Sequence, residues 1–379
     1  MKVAVVHEWL DVEAGSEHVV EQILECYPNA DLFCIVDFLS PENRGFLKGR
    51  TVKTSFIQNL PFARKHFRNY LFLMPLAVEQ HDLSDYDLII SSHHAVAKGV
   101  ITGPDQLHIS YIHSPIRYAW DLQNQYLKES GLEKGVKSWI ARTILHYLRL
   151  WDVRTSNGVD AYIANSSFIA RRIEKIYRRE SVVISPPVDI ERFTLVEDKD
   201  DYYLAISRMV PYKRMDLIVA AFAKMPNRRL VMVGSGSEKS RIITMVKNLN
   251  VKNITLLDHL PQNKLVQLLQ KARALVFAAY EDFGILPVEA MACGTPVIAY
   301  GRGGVRDSVR GLSDPDPTGV FFNTQSTNSL IEAVETFEQE ESRIRFRSCR
   351  TQAENFSRER FKREFINFIE EEWERHTKK

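Results

Sequence analysis

Short apolar runs punctuate the chain. They lie at Val3–Val6, Leu32–Val36, Leu88–Ile90, His108–Ile112, Ala161–Ala164, Val182–Ile184, Tyr203–Ile206, Leu230–Val233, Ile254–Leu257, Ala274–Phe277 and Pro296–Ala299. Val and Ile are frequent in them and polar alternation is scarce, which is how strands covered on both faces read. Longer amphipathic stretches, such as Glu17–Cys26 and Met215–Lys224, fall between many of them. Strands alternating with helices predict an α/β protein with parallel sheets. The rhythm halts at Ser185-Pro186-Pro187-Val188 and restarts at Tyr202, because two prolines end a strand and stiffen the connection after it. Two α/β halves are expected, 1–186 and 187–356. From 357 the tail reads as a helix, with Ser357 as its N-cap and Phe361, Phe365, Phe368 and Ile369 as an apolar stripe that must dock somewhere.

A length of 379 residues is enough for two domains with separate cores. The balance of 50 basic and 48 acidic residues leaves a net charge of +2, so no global polycation points to nucleic acid. The four cysteines lack metal-type spacing and fit reduced thiols of a cytoplasmic protein. The start, MKVAVVHEWL, has one basic residue and too short an apolar run for a signal peptide. No run approaches the roughly 18–20 apolar residues of a spanning helix. A soluble or peripheral protein is expected.

The candidate chemistry gathers just past predicted strands. "LAISRMVPYKRMD" sets Arg208 and Lys213 beyond a strand's carboxyl end, where open α/β sheets bind ligands. Two cations there suit a diphosphate, and a solvated basic loop is the plainer reading. "LVMVGSGSEKS" is strand, Gly-x-Gly turn and helix; Gly234 and Gly236 permit positive φ and a close approach to a phosphate or sugar, and a plain turn explains them equally well. With Asp258 some way on, this partly fits a dinucleotide fingerprint, although Lys239 stands where the third glycine belongs. An NAD-type oxidoreductase is therefore a competing reading. In "EDFGILPVEAMACGTPVIA" the Asp282-Phe283-Gly284 turn offers amides to an anion, and Pro287 suits the first turn of a helix. Glu281 and Glu289 flank that turn, and each carboxylate can accept from vicinal hydroxyls. A helix-dipole role alone would explain Glu289 but not Glu281. In the first half, Gly15 and Ser16 open a helix, and His113 comes just after a strand in "YIHSPIRYAWD".

Taken together, these pieces resemble the retaining GT-B glycosyltransferases of family 4, especially bacterial mannosyltransferase-like members of polysaccharide assembly. The match is carried by Glu281 to Glu289, the family's E-x7-E signature, continued by "AMACGTPVIA". "SRMVPYKRMD", "GSGSE", "NSSFIARRI", "SPPVDIERF" and "YIHSPIRYAWD" match as well. The resemblance implies two Rossmann-like domains facing a cleft, with the terminal helix returning to the first. It implies transfer of a hexose, mannose from GDP-mannose, to a lipid-linked or growing surface glycan. Arg208 and Lys213 would neutralise the diphosphate, Glu289 would hold the ribose and Glu281 the hexose. Backbone at Phe283 and Gly284 would touch the hexose, and backbone near His259 and Leu260 the base. His113 would sit at the reacting face and Gly15 near the phosphates. Ala14 replaces one of two glycines common in that loop. The resemblance implies no metal: D-x-D strings such as Asp314-Pro315-Asp316 do not resemble the metal site of the other glycosyltransferase class. A nucleotide-sugar-binding protein without turnover is the third reading.

Two stretches of the first half add a possible anionic membrane surface as partner, at the inner face of the plasma membrane. "PFARKHFRNYLFLMPL" mixes Arg64, Lys65 and Arg68 with Phe62, Phe67, Tyr70, Leu71 and Phe72. "KGVKSWIARTILHYLRLWDVR" sets Ile140, Ile144, Leu148 and Trp151 at helical spacing, with Lys137, Arg142 and Arg149 elsewhere. Packing of both stripes into the core is the alternative.

Overall fold

The computed structural model, which describes residues 1–12 and 14–378, folds the apolar runs into two sheets. The first has seven strands: β1 (Val3–Leu10), β2 (Asp31–Asp37), β3 (Val52–Thr54), β4 (Leu88–His93), β5 (Leu107–Ile112), β6 (Ala161–Ala164) and β7 (Val182–Val183). Their order is β3-β2-β1-β4-β5-β6-β7. The second has six: β8 (Tyr203–Ile206), β9 (Leu230–Val233), β10 (Ile254–Leu257), β11 (Ala274–Phe277), β12 (Val297–Tyr300) and β13 (Gly319–Phe322), ordered β10-β9-β8-β11-β12-β13. All pairings are parallel. Two compact units result: Met1–Pro187 with Phe361–Lys379, and Val188–Arg360.

The lack of polar alternation has a direct cause. In β1, Val3 and Val5 join one cluster with Val19, Val20 and Ile23, while Ala4 and Val6 join another with Met74, Ala77 and Val78. Both faces of the sheet are covered, and each fully buried Val or Leu side chain contributes about 1.5–3 kcal/mol. The terminal helix (Arg358–Thr377) is capped by the Ser357 hydroxyl, which accepts from Arg360 N at 3.2 Å. Phe361, Phe365 and Ile369 are buried in the first unit's core.

The sequence reading missed β3 and β13. Both are edge strands with one neighbour, and neither carries an apolar run of four. The run at Val182–Ile184 shortens to the edge strand β7, whose Val182 and Val183 side chains are exposed. The helix Val136–Thr155 is also oriented differently from the stripe predicted for it. Leu148 is buried and Trp151 turns in to donate from Nε1 to Glu79 at 2.7 Å. Val136, Trp139, Ile140, Tyr147, Leu150 and Val153 are its exposed large apolar residues, together with Phe62, Phe72 and Leu76 of the other stretch. Phe67 is buried, and Tyr70 and Leu71 pack beside it.

Strand order reverses between β1 and β4 in one sheet and between β8 and β11 in the other. Ligands of open α/β sheets bind beyond the strands' carboxyl ends at such reversals.

Candidate functional site

The second unit builds its site from the loops at the carboxyl ends of β8 to β11. After β8 the chain turns beneath the β9 loop: Ser207 N donates to Val233 O at 3.1 Å and Met209 N to Ser235 O at 2.8 Å. Gly234 and Gly236 adopt φ of +151° and +150°. A Cβ on Gly234 would lie 1.9 Å from Ser207 O, and one on Gly236 2.5 Å from Met209 O. The packing of the two loops therefore requires glycine at both positions.

Arg208 stands exposed at the end of β8, and its Nη2 reaches the Tyr212 hydroxyl at 3.3 Å. A tight turn, Pro211–Lys213, comes next, closed by Arg214 at φ +54°. It lifts Lys213 over the Tyr212 ring, 5.2 Å from its centre. The Lys213 ammonium meets the Glu281 carboxylate, with the two side chains 15% and 17% exposed. That partial burial strengthens the attraction relative to an exposed pair. The contact lies at the β8–β11 reversal, so two residues singled out separately in the sequence share one place.

Glu281 sits four residues beyond β11. Its backbone bridges to Gly303, and Gly304 N donates to Glu281 O at 2.9 Å. Gly284, at φ +95°, is the N-cap of the helix Ile285–Ala292, which places Pro287 in the first turn as expected. Phe283 is buried. Glu289 lies one turn further along, half-buried. His259 and Leu260 lie just past the edge strand β10, two strands from β8, with His259 exposed. Asp258 is paired with Lys239, the residue in the third-glycine position, which leaves the dinucleotide fingerprint with a salt bridge instead of a phosphate cradle. Among the described residues no group of three His, Cys, Asp or Glu side chains could hold a metal.

In the first unit, Gly15 opens the helix Gly15–Cys26 and Ala14 is its N-cap. Glu17 turns back onto this end: its Oε2 accepts from Ala14 N at 3.1 Å and from Ser16 Oγ at 2.8 Å. His113 lies just past β5. Its N donates to His93 O at 2.8 Å, its O accepts from Asn165 Nδ2 at 3.0 Å, and its Nε2 is 2.8 Å from Ser92 Oγ. Burial, reinforced by neighbouring His94 and His7, holds its pKa well below the ordinary imidazole value. His113 is therefore a neutral ring.

Several polar residues here escaped the sequence reading. Glu8 is fully buried, and its carboxylate accepts from the amides of His94, Ala95, Val96 and Ala97 at 2.6–3.1 Å, fixing the turn after β4. His7 and Ser92 are buried beside it. The signal was present: His-Glu inside "VAVVHEWL" and Ser-Ser-His closing β4, with His94 after it, break apolar runs, and buried polar groups require partners.

Comparison with known proteins agrees with this layout. Residues 14–192 match the model described as Glycosyltransferase Family 4, and residues 188–357 the one described as Glycosyl transferases group 1. The D-inositol 3-phosphate glycosyltransferase of Mycobacterium sp. (strain KMS) is 28% identical over 191 residues, 44% of each chain. That of Mycobacterium leprae (strain TN) is 31% identical over 177 residues, 40% of this chain and 41% of the relative. These matches thus span less than half of the relatives' length. Among solved structures, sucrose-phosphate synthase of Thermosynechococcus elongatus superposes with a TM-score of 0.75 at 18% identity, covering 98% of this chain and 99% of its own. HepE of Anabaena, in complex with UDP and glucose, gives 0.69 at 17%, covering 98% and 100%. The shared feature at these identities is the fold, the two-domain GT-B architecture.

Proposed function

We propose, from the premise that this chain belongs to the GT-B glycosyltransferases of family 4, that it moves mannose from GDP-mannose, with retention, onto a lipid-linked or growing surface polysaccharide. The observation that carries a sugar-diphosphate reading is the meeting of Lys213 and Glu281 at the β8–β11 reversal. A cation for the diphosphate and a carboxylate for the hexose stand in contact, as the two ends of one glycosyl bond require. The choice of mannose and guanine rests on the resemblance of "YIHSPIRYAWD" to mannosyltransferases of polysaccharide assembly.

In this reading Arg208 and Lys213 stabilise the charge that develops on the leaving diphosphate, a preorganised electrostatic role that needs no metal. Glu289 accepts from the ribose hydroxyls and Glu281 from those of the hexose. The amides at Phe283 and Gly284 hold the same sugar, and backbone near His259 and Leu260 holds the base. Gly234 and Gly236 shape the loop beneath Arg208. His113 and Gly15 take the roles the resemblance implies, His113 at the reacting face of the donor and Gly15 near the phosphates. Transfer in EDTA at the untreated rate is the expected result.

Peripheral attachment to an anionic bilayer fits the first unit's surface. No described helix is long and apolar enough to cross a membrane. Phe72 and Pro75 line one apolar groove with Ile144, Tyr147 and Leu150, which joins the two stretches into a single patch. Arg64, Lys65, Lys137 and Arg142 are exposed on these segments, whereas Arg68 is paired with Asp11 and Arg149 turns inward to Ala119 O.

Thermal shift with GDP, UDP and NADH tests the ligand class, since only a ligand of the native state stabilises it. GDP raises Tm in the wild type and not in the Arg208→Ala, Lys213→Ala double variant. A rise with NADH alone would replace this reading by the oxidoreductase one.

A further inference from the structure

A file of buried polar side chains in the first unit runs from a helix end to His113. Parallel pairing sets His7 of β1 beside Ser92 of β4. His7 Nε2 lies 3.3 Å from Glu17 Oε1, His7 Nδ1 lies 3.2 Å from Ser92 Oγ, and Ser92 Oγ lies 2.8 Å from His113 Nε2. His7, Glu17 and Ser92 are 1%, 4% and 0% exposed. The file spans from the N-terminal turn of the helix Gly15–Cys26 across two strands to β5's carboxyl end.

Each link has a direction. An ionised carboxylate only accepts. Burial works to raise the Glu17 pKa, but hydrogen bonds from His7, the Ser16 hydroxyl and the backbone outweigh it and bring it down. His7 Nε2 therefore donates to Glu17. A His7 ring with one proton then has a bare Nδ1, which accepts from the Ser92 hydroxyl. Ser92 has spent its only proton, so its oxygen accepts from His113, and that proton must sit on Nε2. Which nitrogen of an imidazole carries hydrogen is set by what the other groups around it demand.

We propose that Glu17, His7 and Ser92 are positioning residues that fix the proton of His113 on Nε2 and leave its Nδ1 bare, as an acceptor for a sugar hydroxyl. The use of Nδ1 rests on the reading that His113 works on the donor; the tautomer itself does not. Because His113 is a neutral ring, its tautomer decides whether it offers a donor or an acceptor at a given atom. A mixed tautomer would leave part of the population with the wrong atom facing a hydroxyl.

The test is nitrogen-15 NMR of the imidazole rings at pH 9, where imidazoles carry one proton, with transfer kinetics beside it. In the wild type His113 shows a single Nε2–H signature. Ser92→Ala, which removes the link, gives a mixture of both tautomers and lowers kcat about tenfold, the worth of one hydrogen bond. Donor KM stays within about twofold. Ser92→Thr, which restores a hydroxyl, restores the signature. If Ser92→Ala does not fold, Glu17→Ala gives the same mixing from the far end. An unchanged tautomer in these variants, or an Nδ1–H ring in the wild type, overturns the proposal. A correct tautomer pattern without transfer from any donor supports the file while removing the donor reading, so the two failures are distinguishable.

Discussion

Gly304→Ala tests how the acidic turn is held. Gly304 has φ −70°, which alanine adopts freely, so the effect is steric alone. An added Cβ would lie 2.2 Å from Asp282 O, 2.4 Å from Phe283 Cα and 2.7 Å from Asp282 C. Real Cβ atoms stay beyond 3.0 Å, so the Asp282 carbonyl must retreat by about 0.8 Å, the difference between 3.0 and 2.2 Å. The neighbours are backbone and cannot swing aside. The displaced segment carries Glu281, whose own carbonyl accepts from Gly304 N. A misplacement near 1 Å in a reacting geometry costs on the order of 10²-fold in rate. Overpacking costs about 1–3 kcal/mol of stability, well inside the roughly 5–15 kcal/mol of a typical domain. Donor turnover and urea unfolding should be measured on one preparation. The expected variant is folded, modestly destabilised and about 100-fold slower in kcat/KM. Wild-type turnover would refute the link between Gly304 and the position of Glu281.

Glu289→Ala is expected to weaken GDP binding by calorimetry, whereas Glu281→Ala spares it and impairs use of the GDP-sugar; equal loss of GDP in both would dissolve that division. The first unit is acid-sensitive: burial lowers the pKa of His81 and His108 to about 4, and lowers those of His93, His94 and His113 as well. Their folded values lie below the unfolded one, so stability is full above about pH 6.5 and is lost as pH falls toward 4. For His81 and His108 the loss is on the order of 3 kcal/mol each. The second unit contains only His259. Hydrogen exchange at pH 5 should open the first unit before the second, and simultaneous opening would contradict this. Finally, the protein should float with anionic liposomes at low salt and dissociate at high salt, with Trp139→Glu abolishing flotation; no flotation at either salt would leave the patch without a lipid partner.

The turn around Glu281 was largely legible because its chemistry is local. Strand, Gly284 and Pro287 all act within ten residues, and the helix starts where they place it. What holds the turn was not legible: Gly303 and Gly304 lie some twenty residues on, in a string that alone says only "loop". Pairing of Lys213 with Glu281 was hidden for the same reason, since a strand order of β8-β11 brings together residues far apart in sequence. In the helix Val136–Thr155 the apolar residues run nearly all round, so periodicity did not decide which side packs; Leu145 and Leu148 go inward. His7 and Ser92 were passed over because a polar residue in a strand gains meaning only when its neighbour across the ladder is known.

The central claim is tested most directly by incubating the protein with GDP-mannose, UDP-glucose, UDP-galactose and UDP-N-acetylglucosamine, measuring nucleoside diphosphate release and reading the product's anomeric configuration by NMR. The account predicts release from GDP-mannose with retention, slowed by about 10²–10³-fold in Lys213→Ala. Release that is no faster than in Lys213→Ala for every donor, or a product with inverted configuration, would contradict it.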